Sequence, residues 1–162
     1  MLSQEKILVV EDNELNRTML VEILSGQYAA LEAENGQVAL ELLLSHRDEI
    51  ALILLDIVMP VMDGYTFLDI IKKDPQLSLI PVIVMTQNTS EDAEVAALSH
   101  GATDFVPKPY RPQVILHRIA GIIHLQETAS MINQFRYDQL TGLYSKEFFY
   151  QQAQAMLMRN PD

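Results

Sequence analysis

Apolar residues fall along this chain in short blocks separated by amphipathic stretches. Ile7–Val10 is one block, a run that reads as a strand covered on both faces, and it ends on the acidic pair Glu11-Asp12. Asn13 is placed to cap a helix with apolar positions Leu15, Met19, Leu20, Ile23 and Leu24, closed by Gly26. Tyr28–Ala33 is a second strand, less apolar and therefore nearer an edge. Asn35-Gly36 turns the chain into a helix with Val38, Leu42 and Leu43 inward. Ile50–Leu55 is the third strand and stops on Asp56, after which Pro60 and Asp63-Gly64 re-aim the chain. A helix from about Tyr65 to Lys73 presents Phe67, Leu68 and Ile71 to the core and ends at Asp74-Pro75.

Pro81 introduces a fourth strand, Val82–Met85, which stops at Thr86. Ser90 caps a helix over Glu91–Ser99, with Gly101 just beyond it. Phe105-Val106 is a short fifth strand leading into Pro107-Lys108-Pro109. Strand and helix alternate five times, which predicts an α/β domain of parallel βαβ units with right-handed crossovers. Beyond Pro112 a helical pattern runs to about Arg136, longer than a covering helix needs to be. Its stripe Ile115, Ile122, Leu125, Ala129 and Ile132, interrupted by Arg118, either continues the core face or forms a coiled-coil seam. The half after Gly121 favours the seam, because the five strands leave no obvious surface there to cover. The last segment, Tyr137–Asp162, opens on Asp138-Gln139-Leu140-Thr141-Gly142-Leu143 and continues into an aromatic helix with Phe148, Phe149, Met156 and Leu157. It is too short to bury those side chains by itself and reads as the opening of a further domain.

Composition narrows the function. The 162 residues are 49% hydrophobic, enough for a packed core. With 11 Lys+Arg against 22 Asp+Glu the net charge is −11, which disfavours nucleic acid as a partner. The absence of cysteine excludes disulfides, thiolate zinc sites and a Cys nucleophile. The N-terminal apolar run is too short for a signal peptide, and no segment has membrane-spanning length, so a cytoplasmic protein without a membrane partner is expected.

The strand ends carry the candidate chemistry. They supply Glu11 and Asp12, then Asp56, Thr86 and Lys108. By itself, Asp56 could simply cap the next turn or helix. In a sheet of order 2-1-3-4-5, however, the first and third strands flank the topological switch point and all five residues converge on one edge. Carboxylates packed together raise one another's pKa unless a cation joins them, and an oxygen-only donor set favours Mg²⁺. Lys108 then offers a point charge to a phosphoryl oxygen and Thr86 a hydroxyl. The set suits in-line phosphoryl transfer to a carboxylate, giving an aspartyl phosphate.

Over about Lys6 to Leu125 the chain resembles the receiver domain of bacterial two-component response regulators. The matching elements are Glu11-Asp12, Asp56 followed by Met59-Pro60 and Asp63-Gly64, Thr86, Gly101-Ala102 and Lys108-Pro109. The resemblance implies a flavodoxin-like five-stranded parallel sheet of order 2-1-3-4-5 with helices on both faces and an extended C-terminal helix. It implies Asp56 as phosphoacceptor from a sensor histidine kinase or phosphotransfer protein. Glu11, Asp12, Asp56 and the Val58 backbone carbonyl would hold Mg²⁺. Thr86 and Phe105 would form the switch pair, and Lys108 would bind the phosphoryl group. Gln87 departs from the small residue usual after the threonine, and narrows access to the phosphoryl position.

A second resemblance starts at Tyr137: the stretch RYDQLTGLYSKEFFY is similar to the opening of GGDEF-type diguanylate cyclase domains, although the signature itself occurs nowhere in the chain. The expected organisation is a receiver over 1–125, a helical linker over 126–137 and the N-terminal part of a GGDEF-type output domain over 138–162. This chain by itself would then be no enzyme, the longer protein being a diguanylate cyclase. A homodimer through the long helix, with the chain's own output domain as a further partner, follows from the same reading. Two other readings stand beside it. One is a phosphatase-like enzyme with Asp56 as nucleophile, but Val58 occupies the position where that pattern requires a second Asp. The other is a docking scaffold that is never phosphorylated.

Overall fold

Each apolar block becomes a strand, and each amphipathic stretch a helix laid against the strands. The computed structural model describes residues 5–59, 61–87 and 90–141, with side chains up to residue 132 except that of residue 130. The elements are β1 (Lys6–Val10), α1 (Glu14–Leu24), β2 (Ala29–Ala33), α2 (Gly36–His46), β3 (Ile50–Asp56), α3 (Gly64–Lys73), β4 (Val82–Thr86), α4 (Glu91–Ser99), β5 (Asp104–Pro107) and α5 (Pro112–Thr141). The sheet is parallel in the order β2-β1-β3-β4-β5, so the less apolar β2 is indeed at an edge.

Strands covered on both faces have no polar side to show. Ile7 to Val10, Leu52 to Leu55 and Val82 to Met85 are accordingly all buried. Alternate residues point to opposite faces. Leu8, Val10, Ile53 and Leu55 join one core cluster with Ala39, Leu43, Phe67, Leu68, Ile71 and Ala97 from α2, α3 and α4. Their neighbours Ile7, Val9, Leu52 and Leu54 lie outside that cluster, as do the buried Leu20 and Leu24 of α1 and Ile115 and Ile119 of α5.

One expectation about a helix face needs correcting. On α1 the inward stripe is Leu20 and Leu24, four residues apart, while Leu15 is 72% and Met19 43% exposed. The pair Leu15 and Met19 lies one residue round the helix, about 100° away, and faces solvent. On α5 Ile115 is buried, whereas Leu125, Ala129 and Ile132 are exposed, so the half of the stripe after Gly121 does not continue the core face. Helix α5 also continues to Thr141 rather than stopping near Arg136.

The chain divides into two units after Gly121. In the second, the described residues are helical from Ile122 to Thr141, with Leu125, Met131 and Ile132 exposed. The expected aromatic helix with Phe148, Phe149, Met156 and Leu157 lies outside the described residues, as does the side chain of Arg136.

Candidate functional site

Among the described residues three polar side chains are buried, Glu11, Asp56 and Thr86, and each stands at the carboxyl end of a strand. Strand register brings them together. Val10 pairs with Leu55, so Glu11 emerges beside Asp56. Asp56 pairs with Met85, one residue before Thr86. The Lys108 N–H donates to the Thr86 carbonyl at 2.9 Å, carrying the β4–β5 pairing one step further and setting Lys108 at the same edge.

The loops that follow these strands are fastened by helix caps. Asn13, Asn35, Asp63 and Ser90 each accept a backbone N–H from the first turn of the next helix, at 2.8 to 3.1 Å. Asp63-Gly64 is thus more than a turn: Asp63 caps α3, and the Gly64 N–H donates to the Ile57 carbonyl at 2.8 Å. A Cβ on Gly64 would sit 2.7 Å from the Ile57 Cα and 2.8 Å from the Asp56 carbonyl oxygen, so only glycine lets the chain fold back under Asp56.

Lys108 links the two buried acids. Its Nζ lies 3.1 Å from Glu11 Oε1 and 3.4 Å from Asp56 Oδ1, and the lysine side chain is 12% exposed. Glu11 accepts two more bonds: Tyr110 Oη donates to Oε1 at 2.7 Å, and the Asn13 N–H to Oε2 at 3.1 Å. Arg17 donates to the Glu11 carbonyl at 2.9 Å and to Glu32 Oε1 at 3.1 Å, pinning the turn after β1.

The two acids respond to burial in opposite ways. Burial works to raise the Glu11 pKa, but the bonds from Tyr110, Asn13 and Lys108 outweigh it and hold Glu11 below the usual carboxylate range. Among the described residues Asp56 has no such set of donors. Burial, and then the charge of Glu11, push its pKa up to about 7, with Lys108 opposing them.

Asp12 points outward and is exposed, yet Glu11, Asp12 and Asp56 each bring an oxygen within 4.8 Å of the others. The donor set fits a hard divalent cation: all oxygen, no imidazole or thiolate, and one carboxylate whose charge the protein itself leaves poorly compensated. Phe105 is half-buried against the core cluster. It pairs with Val84, two residues before Thr86, so Phe105 and Thr86 project from the same face of the sheet. Val58 and Gln87 lie at the mouth with exposed side chains. Tyr110 and Arg17 are additions that the sequence reading missed. For Tyr110 the available signal was an aromatic residue with a polar tip two positions beyond Lys108, because a buried tyrosine hydroxyl nearly always finds a partner.

This arrangement coincides with a family match. The model of the response regulator receiver domain covers residues 7–120. The chain belongs to that family. Its receiver domain is a phosphoacceptor module of two-component signalling and not a catalytic enzyme by itself. Among curated relatives, the chain is 37% identical over 139 residues to a probable cyclic di-GMP phosphodiesterase of Vibrio cholerae serotype O1, covering 84% of this chain and 31% of that protein. Among solved structures, Vibrio cholerae chemotaxis protein CheY4 superposes with a TM-score of 0.69 at 28% identity, over 74% of this chain and 98% of that one. A probable two-component system response regulator/GGDEF domain protein gives 0.72 at 25% identity, over 77% of this chain and 51% of that one. The chain spans only 8% to 31% of the length of the first curated relatives it matches. Among the described residues no helix is long and apolar enough to cross a membrane.

Proposed function

We propose that Asp56 accepts a phosphoryl group from the phosphohistidine of a sensor histidine kinase or a phosphotransfer protein. The observation that carries this is the pairing of Lys108 with both Glu11 and Asp56 at a buried strand-end edge. An Asp56 carboxylate oxygen attacks phosphorus in line; the O–P bond forms as the N–P bond breaks, and the bonding pair leaves on the imidazole nitrogen. Lys108 Nζ is already within reach of Asp56, and it neutralises charge on the phosphoryl oxygens as they arrive. Thr86 hydrogen-bonds one of those oxygens and, with Phe105 on the same face, reports the occupied state toward β5. Glu11, Asp12, Asp56 and the Val58 carbonyl would hold Mg²⁺, which when bound supplies the positive charge this acidic edge lacks.

The output is read as cyclic di-GMP signalling. Support comes from the solved relative named as a GGDEF domain protein and the curated relative named as a cyclic di-GMP phosphodiesterase, together with the motif beginning at Tyr137. On this reading residues 1–125 are the receiver, 126–137 a helical linker and 138–162 the opening of a GGDEF-type domain that phosphorylation controls. Leu125, at the end of the receiver, and Ile132, in the linker, are both exposed, which supports a homodimer contact along the long helix. Sedimentation equilibrium checks it: replacing Ile122 and Leu125 together by Glu removes self-association, and a dimer that survives places the contact elsewhere.

The site is tested by incubating the chain with acetyl phosphate, with and without Mg²⁺, and measuring intact mass. A single phosphoryl group is expected, dependent on Mg²⁺ and absent from Asp56→Asn. Undiminished uptake by that variant sinks the assignment.

A further inference from the structure

Tyr110 has no part in the chemistry just described, yet its hydroxyl makes the shortest bond to Glu11, 2.7 Å to Oε1. Lys108 Nζ reaches that same oxygen at 3.1 Å and lies 5.6 Å from the centroid of the Tyr110 ring. A carboxylate oxygen offers about two lone-pair sites, so these two donors saturate Oε1. Glu11 is 1% exposed, so both bonds are made out of contact with bulk water.

This sharing matters once Lys108 has other work. If Lys108 were the only donor, its departure toward a phosphoryl group on Asp56 would strand an unpaired charged oxygen in a buried site, which is strongly unfavourable. We propose that Tyr110 is a positioning residue that holds Glu11 Oε1 while Lys108 changes partner from Glu11 to the phosphoryl group. The proposal rests on the reading of Asp56 as phosphoacceptor. The displacement it asks of Lys108 is small, because Nζ already stands 3.1 Å from Glu11 Oε1 and 3.4 Å from Asp56 Oδ1. Tyr110 is suited to the task, since its hydroxyl already stands at 2.7 Å from Glu11 Oε1. It also lies two residues before Pro112, where α5 begins, so the same bond ties the start of that helix to the acidic pocket.

The experiment uses the full chain and beryllofluoride as the phosphoryl mimic. Wild type and Tyr110→Phe are titrated by calorimetry with Mg²⁺ alone, and then with beryllofluoride at saturating Mg²⁺. Thermal melts confirm that the variant, which keeps the ring and loses only the hydroxyl, is folded. The expected result is beryllofluoride binding weakened about tenfold in Tyr110→Phe, with Mg²⁺ binding alone not weakened. Equal beryllofluoride affinity in the two proteins overturns the proposal. So does an equal loss in both titrations, which would mark Tyr110 as a prop of the whole pocket rather than a partner to the moving lysine. If wild type itself fails to bind beryllofluoride with Mg²⁺, the phosphoacceptor reading falls and the proposal with it.

Discussion

Lys6 and Lys108 each pair with a glutamate at opposite ends of β1. At the amino end Lys6 Nζ meets Glu49 Oε1 at 2.5 Å, with side chains 25% and 44% exposed. At the carboxyl end Lys108 meets Glu11 at 3.1 Å, with side chains 12% and 1% exposed. The shorter contact is the less consequential one. Water screens the Lys6 pair, and the bond from Lys6, followed by that from His46, simply lowers the Glu49 pKa. At the other end a second acid, Asp56, stands beside the pair without enough donors, and its pKa rises. A sheet can leave charges at one end in water at little cost. Gathering them out of water at the other creates an edge that favours the uptake of positive charge.

Breaking the buried pair should have the largest effect. Lys108→Ala leaves two buried carboxylates without their cation and should cost about 3 kcal/mol of stability, measured by urea unfolding at neutral pH. The same variant should lose beryllofluoride binding. Unchanged stability would mean that water already reaches this edge.

Removing the less supported acid should act the other way. The Asp56 carboxyl is raised from 3.8 to about 7 in the folded protein, so the fold favours its neutral form. Without metal, stability therefore declines as pH rises from about 4 to about 7, where the unfolded chain releases this proton and the folded chain retains it. Asp56→Asn cannot ionise and should be more stable than wild type above pH 7, by on the order of 2 kcal/mol. The two proteins should converge near pH 4. A variant that is less stable at every pH would contradict the assigned charge penalty.

The smallest effect belongs to the amino end. Lys6→Ala should leave the unfolding midpoint and the phosphorylation yield nearly unchanged, because an ion pair that water reaches contributes little. A marked loss would erase the distinction between the two edges.

Much of this comparison was legible in the residues. Wholly apolar runs as short as Ile7–Val10 have few uses besides a doubly covered strand, and the polar residue ending each run marks the site. Glu11, Asp56, Thr86 and Lys108 could thus be placed together from the sequence. What stayed hidden depends on packing across long stretches of chain. Spacing alone could not say that Glu11 turns inward while the adjacent Asp12 faces water. Nor could it show that Leu20 and Leu24, rather than Leu15 and Met19, set the inner face of α1. The bond from Tyr110 to Glu11 joins residues 99 apart, and no local pattern announces it.

On the proposed reading, the carboxyl edge holds the fold under electrostatic load until a cation joins Glu11, Asp12 and Asp56. Thermal unfolding of wild type, Asp56→Asn and Lys6→Ala at pH 8, with and without millimolar Mg²⁺, tests it most directly. A ligand that binds only the folded state raises the midpoint as its concentration rises. The midpoint should rise with Mg²⁺ in wild type and in Lys6→Ala, and by much less in Asp56→Asn. A wild-type midpoint that does not respond to Mg²⁺, or an equal rise in all three proteins, would contradict the account.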